Sequence, residues 1–215
     1  MSFWHESNAI VARSPLSMAQ QVQLRGPGRW RARLTFENRN RAVSAQLDAL
    51  LAELDGGAGE VLLFDFRRPA PRGSAAAYSG PALSLAWPAG LDWPAGLSWP
   101  SFTPLSPPQL AVAAARGAAS VLTTGWIPGS TVLRAGDYVG LGSTLHIVTA
   151  DVTANGDTEA TIPLRPRLRG NLAAGTAVVT DRPTVRMRLT ERGVENPTTP
   201  GPFSTYAIEL EESLP

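Results

Sequence analysis

The stretch from residue 29 to residue 71 constrains the fold most, because it carries the most regular hydrophobic pattern of the chain. From residue 29 to 36, apolar and polar side chains alternate strictly, as they do in a strand that buries one face. Valine and leucines then recur with helical spacing, which predicts an amphipathic helix at about 41–55. The dense apolar run at 61–66 predicts a second strand. None of these residues has the pattern of a catalytic site, so the stretch is interpreted as a scaffold.

The composition of the 215-residue chain excludes several classes of protein. Hydrophobic residues make up 43% and charged residues 17%, which is enough to bury the core of one large domain or two small ones. The net charge of +1 gives no reason to expect sequence-specific nucleic-acid binding. Cysteine is absent, so disulfides and thiolate nucleophiles are excluded. No run approaches the roughly 20 apolar residues of a membrane-spanning helix, and the start lacks a secretion-signal pattern, so membrane insertion is not expected.

Short strand patterns continue in the second half of the chain. Apolar runs separated by turns indicate a small β-barrel or β-sandwich there. The last two alternating runs, near 185–189 and 206–210, are hypothesised to return to the first domain. The sequence therefore predicts a mainly β fold with one amphipathic helix. Its parts are a β-sandwich-like domain of residues 1–73 and 182–215, an arm rich in Trp and Pro at 74–108, and an inserted small β-barrel or sandwich domain at 109–181.

Charged and aromatic side chains provide the candidates for an interface. The chain contains arginine but no lysine. The planar guanidinium of arginine suits contacts between proteins. The arginine face of the first strand pattern has two interpretations, a contact with another subunit or a cross-strand partner for Glu209 and Glu211. Residues 1–28 are predicted to be largely irregular, with aromatic residues near their start and a hint of a short strand at Val22 and Leu24. The candidate interface residues are Trp4, Arg29, Arg31 and Arg33, together with Trp87, Trp93 and Trp99 of the arm.

The arm contains a six-residue repeat in which proline follows each tryptophan. Such a repeat is neither helix nor strand and is typical of an extended, turn-rich segment. Trp87, Trp93 and Trp99 either pack back on the protein, form a docking arm or stack on glycans. Alanine at all three positions separates the last two interpretations. Lost glycan binding with intact assembly would favour a carbohydrate-binding module, whereas lost assembly would favour a structural arm.

The polar residues give no pattern for catalysis or for a cofactor. His5 and His146 are the only histidines, and without cysteine a zinc site is not expected. His146 interrupts an apolar run and is interpreted as a surface or hydrogen-bonded strand histidine. There is no G-x-S-x-G motif, and the absence of lysine excludes the Walker loop. Asp65, Asp92 and Asp137 lie in unrelated contexts, so no acid pair for glycoside hydrolysis is recognisable.

One segment has features of a calcium loop. Residues 151–159 resemble the oxygen-rich start of such a loop, but the position that should hold a bidentate acid is Ile162. The Asn155-Gly156 pair also predicts a β-hairpin, since both residues tolerate positive φ. The hairpin explains the same residues without an ion, so no metal is predicted.

Two segments carry a likeness to a known family. The first runs from residue 28 to 73 and ends in LLFDFRRPAPRG. The second is VLRAGDYV at 132–139, and it continues with HIVTADVTA at 146–154 and PRLR at 166–169. Together they resemble minor tail proteins of long-tailed bacteriophages, in particular the distal tail proteins at the base of the tail tube.

This resemblance implies a homohexameric ring, made by a β-rich domain with a helix packed on it, from which a second β domain projects. Such a protein is a structural virion component of the tail tip, assembled in the host cytoplasm. It joins the tail tube protein to the hub or baseplate proteins, with receptor-binding proteins as further partners. Neither an enzymatic activity nor a cofactor is implied. The alternative function is a carbohydrate or cell-surface binding module that uses the Trp-Pro repeat.

Overall fold

A computed structural model describes residues 1–24, 26, 28–39, 41–78, 107–195 and 204–214. In these ranges the protein is mainly β, with one α-helix. The elements are β1 (Ser2–Glu6), β2 (Ala9–Arg13), β3 (Gln20–Leu24), β4 (Arg29–Arg39), α1 (Arg41–Glu53), β5 (Val61–Leu63), β6 (Gln109–Leu110), β7 (Ser120–Thr124), β8 (Thr131–Leu133), β9 (Tyr138–Leu141), β10 (Thr144–Val148), β11 (Val152–Thr153), β12 (Ala160–Arg165), β13 (Val178–Val179), β14 (Val185–Glu195) and β15 (Ser204–Glu212). None of the helical segments in these ranges is both long and apolar enough to cross a membrane.

The chain divides into two compact units. The first unit comprises Met1–Phe66 and Thr184–Pro215, and the second comprises Arg67–Pro183. The second unit therefore begins before the arm predicted at 74–108, and Ala75 is part of its core. Residues 79–106, which contain most of that arm, lie outside the described residues.

The first unit is built on an antiparallel sheet with the strand order β1-β4-β15-β14-β5. Its inner face is apolar because the alternation of β4 puts Trp30 and Ala32 on one side, where Ala32 lies opposite Leu210 of β15. The helix α1 belongs to this face, since the Tyr206 hydroxyl of β15 donates a 2.8 Å hydrogen bond to the carboxylate of Asp48. The predicted helix at about 41–55 is thus present as α1, and Gly56, at φ +61, ends the following turn in the left-handed region.

The second unit is a nearly closed, barrel-like sheet of six strands in the order β13-β9-β10-β12-β7-β6. An isolated bridge between Gln109 and Ala177 connects the two ends of this order. The N–H of Val178 donates to the carbonyl of Pro108 at 2.8 Å, which reinforces the closure. Sixteen buried residues fill this unit, including Val121, Val139, Leu141, Val148, Ile162 and Leu164. A barrel with so few strands is filled by its own side chains.

Two local predictions are wrong. Residues 1–28 are not largely irregular, because they contain β1, β2 and β3. Strand β1 pairs with β4 and alternates in burial, but its sequence SFWHE does not alternate apolar with polar residues, and the β2–β3 pair is largely exposed. Asn155-Gly156 does not form the predicted two-residue hairpin, since positive φ occurs at Thr158 instead. The Asn155 carboxamide oxygen accepts from the N–H groups of Asp157 and Glu159, which makes a longer, side-chain-stabilised turn.

Candidate interaction surface

The face of the five-stranded sheet opposite α1, called here the outer face, carries rows of opposite charge. Glu209 lies opposite Arg33, and Glu211 lies opposite Arg31. Arg33 Nη1 is 3.6 Å from Glu209 Oε1, and Arg29 Nη1 is 3.6 Å from Glu211 Oε1. The prediction that these acids are cross-strand partners of the arginines is confirmed. Like most exposed ion pairs, each contact contributes about 0–1 kcal/mol.

A second charged cluster on the outer face connects β14 with the residue before β5. Glu60 Oε2 is 3.8 Å from Arg186 Nη1, and Glu60 Oε1 is 3.3 Å from Arg188 Nη2. The Ser213 hydroxyl also donates to the Glu60 carboxylate. This hydroxyl, followed by the two guanidinium groups, holds the pKa of Glu60 below its ordinary value, although desolvation opposes the shift. The cluster therefore stabilises the ionised carboxylate locally.

The residues proposed from the sequence as an interface do not form one described site. Trp4 lies on β1 opposite Arg31, on the outer face, and is 41% exposed. Arg29, Arg31 and Arg33 lie beside it, each with an ion-pair partner. Their part in an intermolecular contact stays a prediction. The predicted residues Trp87, Trp93 and Trp99 lie outside the described residues.

An exposed apolar ribbon was not identified from the sequence. The apolar ribbon is defined as β2, β3 and the loop between them, residues 9–24, in which Val11 lies opposite Val22. Val11, Val22, Leu16 and Met18 are each more than half exposed, and Leu16 is 97% exposed. The signal in the sequence is a segment of sixteen residues with several large apolar side chains and one charged residue, Arg13.

In the second unit, Asp137 is a buried carboxylate at the centre of a turn. Its Oδ2 accepts from the backbone N–H groups of Arg72 and Arg134 at 3.1 and 2.8 Å. Its Oδ1 accepts from Arg72 Nε at 2.8 Å, and the Arg72 guanidinium also donates to the carbonyl of Ala135. Arg68 Nη1 donates to the carbonyl of Gly136 at 3.0 Å. The RRPAPRG and RAGDY segments are therefore joined in one structural contact, called here the Asp137 turn.

His146 is a buried, hydrogen-bonded residue inside the barrel-like sheet. Its Nδ1 is 2.8 Å from the carbonyl oxygen of Pro166, and its Nε2 is 2.8 Å from the hydroxyl of Thr144. A carbonyl can only accept, so Nδ1 carries a proton and donates it. Burial, opposed by this bond and assisted by the charge of Arg169, lowers the pKa of His146 to about 4. The prediction of a hydrogen-bonded strand histidine is confirmed, but the side chain is fully buried rather than on the surface.

The aspartates considered from the sequence for an acid pair fall in separate parts of the chain. Asp65 and Asp137 belong to different units, and Asp92 lies outside the described residues. Among the residues that the structure describes, no three His, Asp or Glu side chains are grouped to hold a metal ion. What the structure presents instead is a paired charged face and an uncovered apolar ribbon. No protein-family model matches the chain, and no curated protein matches it.

Proposed function

We propose that the chain is a structural subunit of a bacteriophage tail tip, which assembles with copies of itself into a homohexameric ring. The ring would connect the tail tube to the hub and host-attachment proteins of the virion. In this proposal the first unit is the sandwich-like, ring-forming domain, and the barrel-like second unit is the further β domain that the resemblance implies. The ring and its stoichiometry come from the resemblance of residues 28–73, 132–139, 146–154 and 166–169 to distal tail proteins.

The observation that carries the proposal is a contrast between two kinds of surface. Charged side chains are paired within the chain, whereas large apolar side chains are exposed to solvent. Asp137, Glu60 and Glu209 are each engaged by arginine in contacts that stabilise the fold. The apolar ribbon, by contrast, exposes large hydrophobic side chains, including Leu16 and Met18, to solvent. Exposed apolar surface of this kind is typical of proteins that bury it in an assembly.

The two phrases behind the resemblance also support a structural role. LLFDFRRPAPRG and VLRAGDYV lie far apart in the sequence, yet they meet at the Asp137 turn. Arg72 of the first phrase binds Asp137 of the second, and each also binds a backbone group. Polar groups that bind one another and the backbone in this way support a structural role.

The proposal is tested by the mass of the purified chain under native conditions. The expected species has six times the chain mass of 22.8 kDa, and it binds purified tail tubes at one end. The measurements are native mass spectrometry and electron microscopy of the mixture with tubes. A chain that stays monomeric at high concentration and does not bind tubes would refute the proposal.

A further inference from the structure

The apolar ribbon is preformed, and its own backbone fixes its shape. In its loop, the N–H of Ser14 donates to the carbonyl of Ala19 at 2.9 Å, and the N–H of Met18 donates to the carbonyl of Ser14 at 3.0 Å. The Ser14 hydroxyl accepts a further bond from the N–H of Ser17. The loop that carries Leu16 and Met18 is therefore held by its own backbone and serine hydrogen bonds.

The ribbon lacks a packing partner of its own among the described elements. Strands β2 and β3 pack extensively only against each other in these ranges. An isolated two-stranded hairpin is marginally stable in water, and here Val11 and Val22 meet on an exposed face. A ribbon of this composition is stabilised when another surface covers that face.

The β5 side of the five-stranded sheet offers such a surface. In the sheet order, β1, which leads into the ribbon, is at one edge, and β5 is at the other. Strand β5 contains neither a charge nor a proline, so its three-residue length is the one protection of an edge strand that it has. Leu62 and Phe66 beside this edge are each more than half exposed. They define the β5 edge.

We propose that the apolar ribbon of one copy docks on the β5 edge of the next copy. The two surfaces match, since both are apolar, and the ribbon has one charged residue, Arg13, while β5 has none. The part of the outer face formed by β4 and β15 fits the ribbon less well, because its arginines and glutamates already bind each other. Leu62 lies on the same face at the β5 side, opposite Arg186. Two different patches on one chain produce head-to-tail contacts, which form a ring where the rotation between successive copies closes. This inference rests on the proposed ring and names the surfaces that form it.

Single substitutions test each surface separately. Val11→Glu on the ribbon and Leu62→Glu on the β5 edge each place a carboxylate in the apolar contact. Each is expected to weaken self-association by about a hundredfold or more, measured by sedimentation over a range of concentrations. Val112→Glu, at a similarly exposed valine of the second unit, is the matched control and is expected to assemble as the wild type. Circular dichroism checks that all three variants fold.

Mixing the two variants tests the pairing itself. A Val11→Glu chain keeps its β5 edge, and a Leu62→Glu chain keeps its ribbon, so the mixture contains one intact contact. The expected product is a one-to-one dimer that grows no further, whereas each variant alone stays monomeric.

Three other outcomes would overturn the inference or the proposed function. Assembly by Leu62→Glu alone, with loss only in Val11→Glu, would mean that ribbons bind each other or another protein, and would overturn the inference. Wild-type rings that both variants retain would overturn it as well, while leaving the proposed function intact. A wild-type chain that neither self-associates nor binds tail tubes would overturn the proposed function.

Discussion

In the first unit, several arginine–carboxylate contacts lie on an exposed sheet face. In the second unit, one such contact involves a buried carboxylate. The side chain of Glu209 is 42% exposed and that of Arg33 is 48% exposed. The side chain of Asp137 is only 3% exposed, although its partner Arg72 reaches solvent. The same two functional groups therefore work in surroundings of very different polarity.

The difference in solvent exposure indicates what each contact contributes to the fold. Water screens the outer-face pairs and competes for their hydrogen bonds, so their net contribution to folding is small. Asp137 has no such alternative, because a buried carboxylate without its donors carries an uncompensated charge. Pairing on the outer face fixes charge complementarity between strands, while pairing at the Asp137 turn determines the backbone conformation.

Asp137→Ala is expected to have the largest effect. It leaves the N–H groups of Arg72 and Arg134 without their acceptor, so the second unit should lose about 4 kcal/mol of unfolding free energy. Residue-resolved hydrogen exchange on the full chain measures this loss and assigns it to a unit. The matched control is Asp151→Ala, since the exposed Asp151 accepts from one N–H, that of Ala135, and should cost about 1 kcal/mol. Equal losses in the two variants would contradict the comparison.

His146 should make the second unit sensitive to acid. Its pKa is about 4 in the folded chain and 6.5 ordinarily, so between these values the unfolded chain binds more protons. Stability contributed by neutral His146 is therefore complete above pH 6.5 and falls as the pH drops towards 4. The expected loss is about 3 kcal/mol, measured by urea unfolding at several pH values. His146→Gln removes the titrating group, and an unchanged pH slope in that variant would contradict the assignment.

These contacts show how far the sequence predicts the structure. The alternation from residue 29 to 36 predicts β4, and the alternation near 206–210 predicts β15 and its acidic partners for the arginines, because both patterns are local. The Asp137 turn is not predictable in this way. Its donor Arg72 is 65 residues away, and nothing local in RAGDY shows which distant group will bind it.

The candidate surface was harder to predict than the fold. Val22 and Leu24 hint at a short strand, which is present as β3, but the apolar ribbon as a whole lacks a period of burial, so alternation does not predict its exposed surface. The burial of Glu212 was not predicted either, although the sequence contains a signal for it. Continuing the alternation of Tyr206, Ile208 and Leu210 places Glu212 on the inner face, where it is buried.

Glu212 allows the comparison of a buried with an exposed carboxylate to be repeated within one strand, β15. Its Oε2 accepts from the N–H of Trp30 at 3.0 Å in the core of the first unit. Glu212→Ala should therefore cost about 2 kcal/mol, because a buried donor loses its partner. Glu211→Ala, one residue earlier on the outer face, is the control and should cost less than about 1 kcal/mol. Hydrogen exchange of the first unit measures both, and a larger loss from Glu211→Ala would reverse the argument.

The smallest effect is expected for Arg33 and Glu209. A double-mutant cycle with alanine at both positions should give a coupling energy of about 0.5 kcal/mol at low salt, because both side chains are well exposed. Adding salt to about 1 M should remove most of it, since the Debye length then falls to about 3 Å. Urea unfolding of the four chains at the two salt concentrations measures the coupling. A coupling above about 2 kcal/mol that salt leaves unchanged would mean that the outer face is shielded from water, and the contrast with Asp137 would then fail.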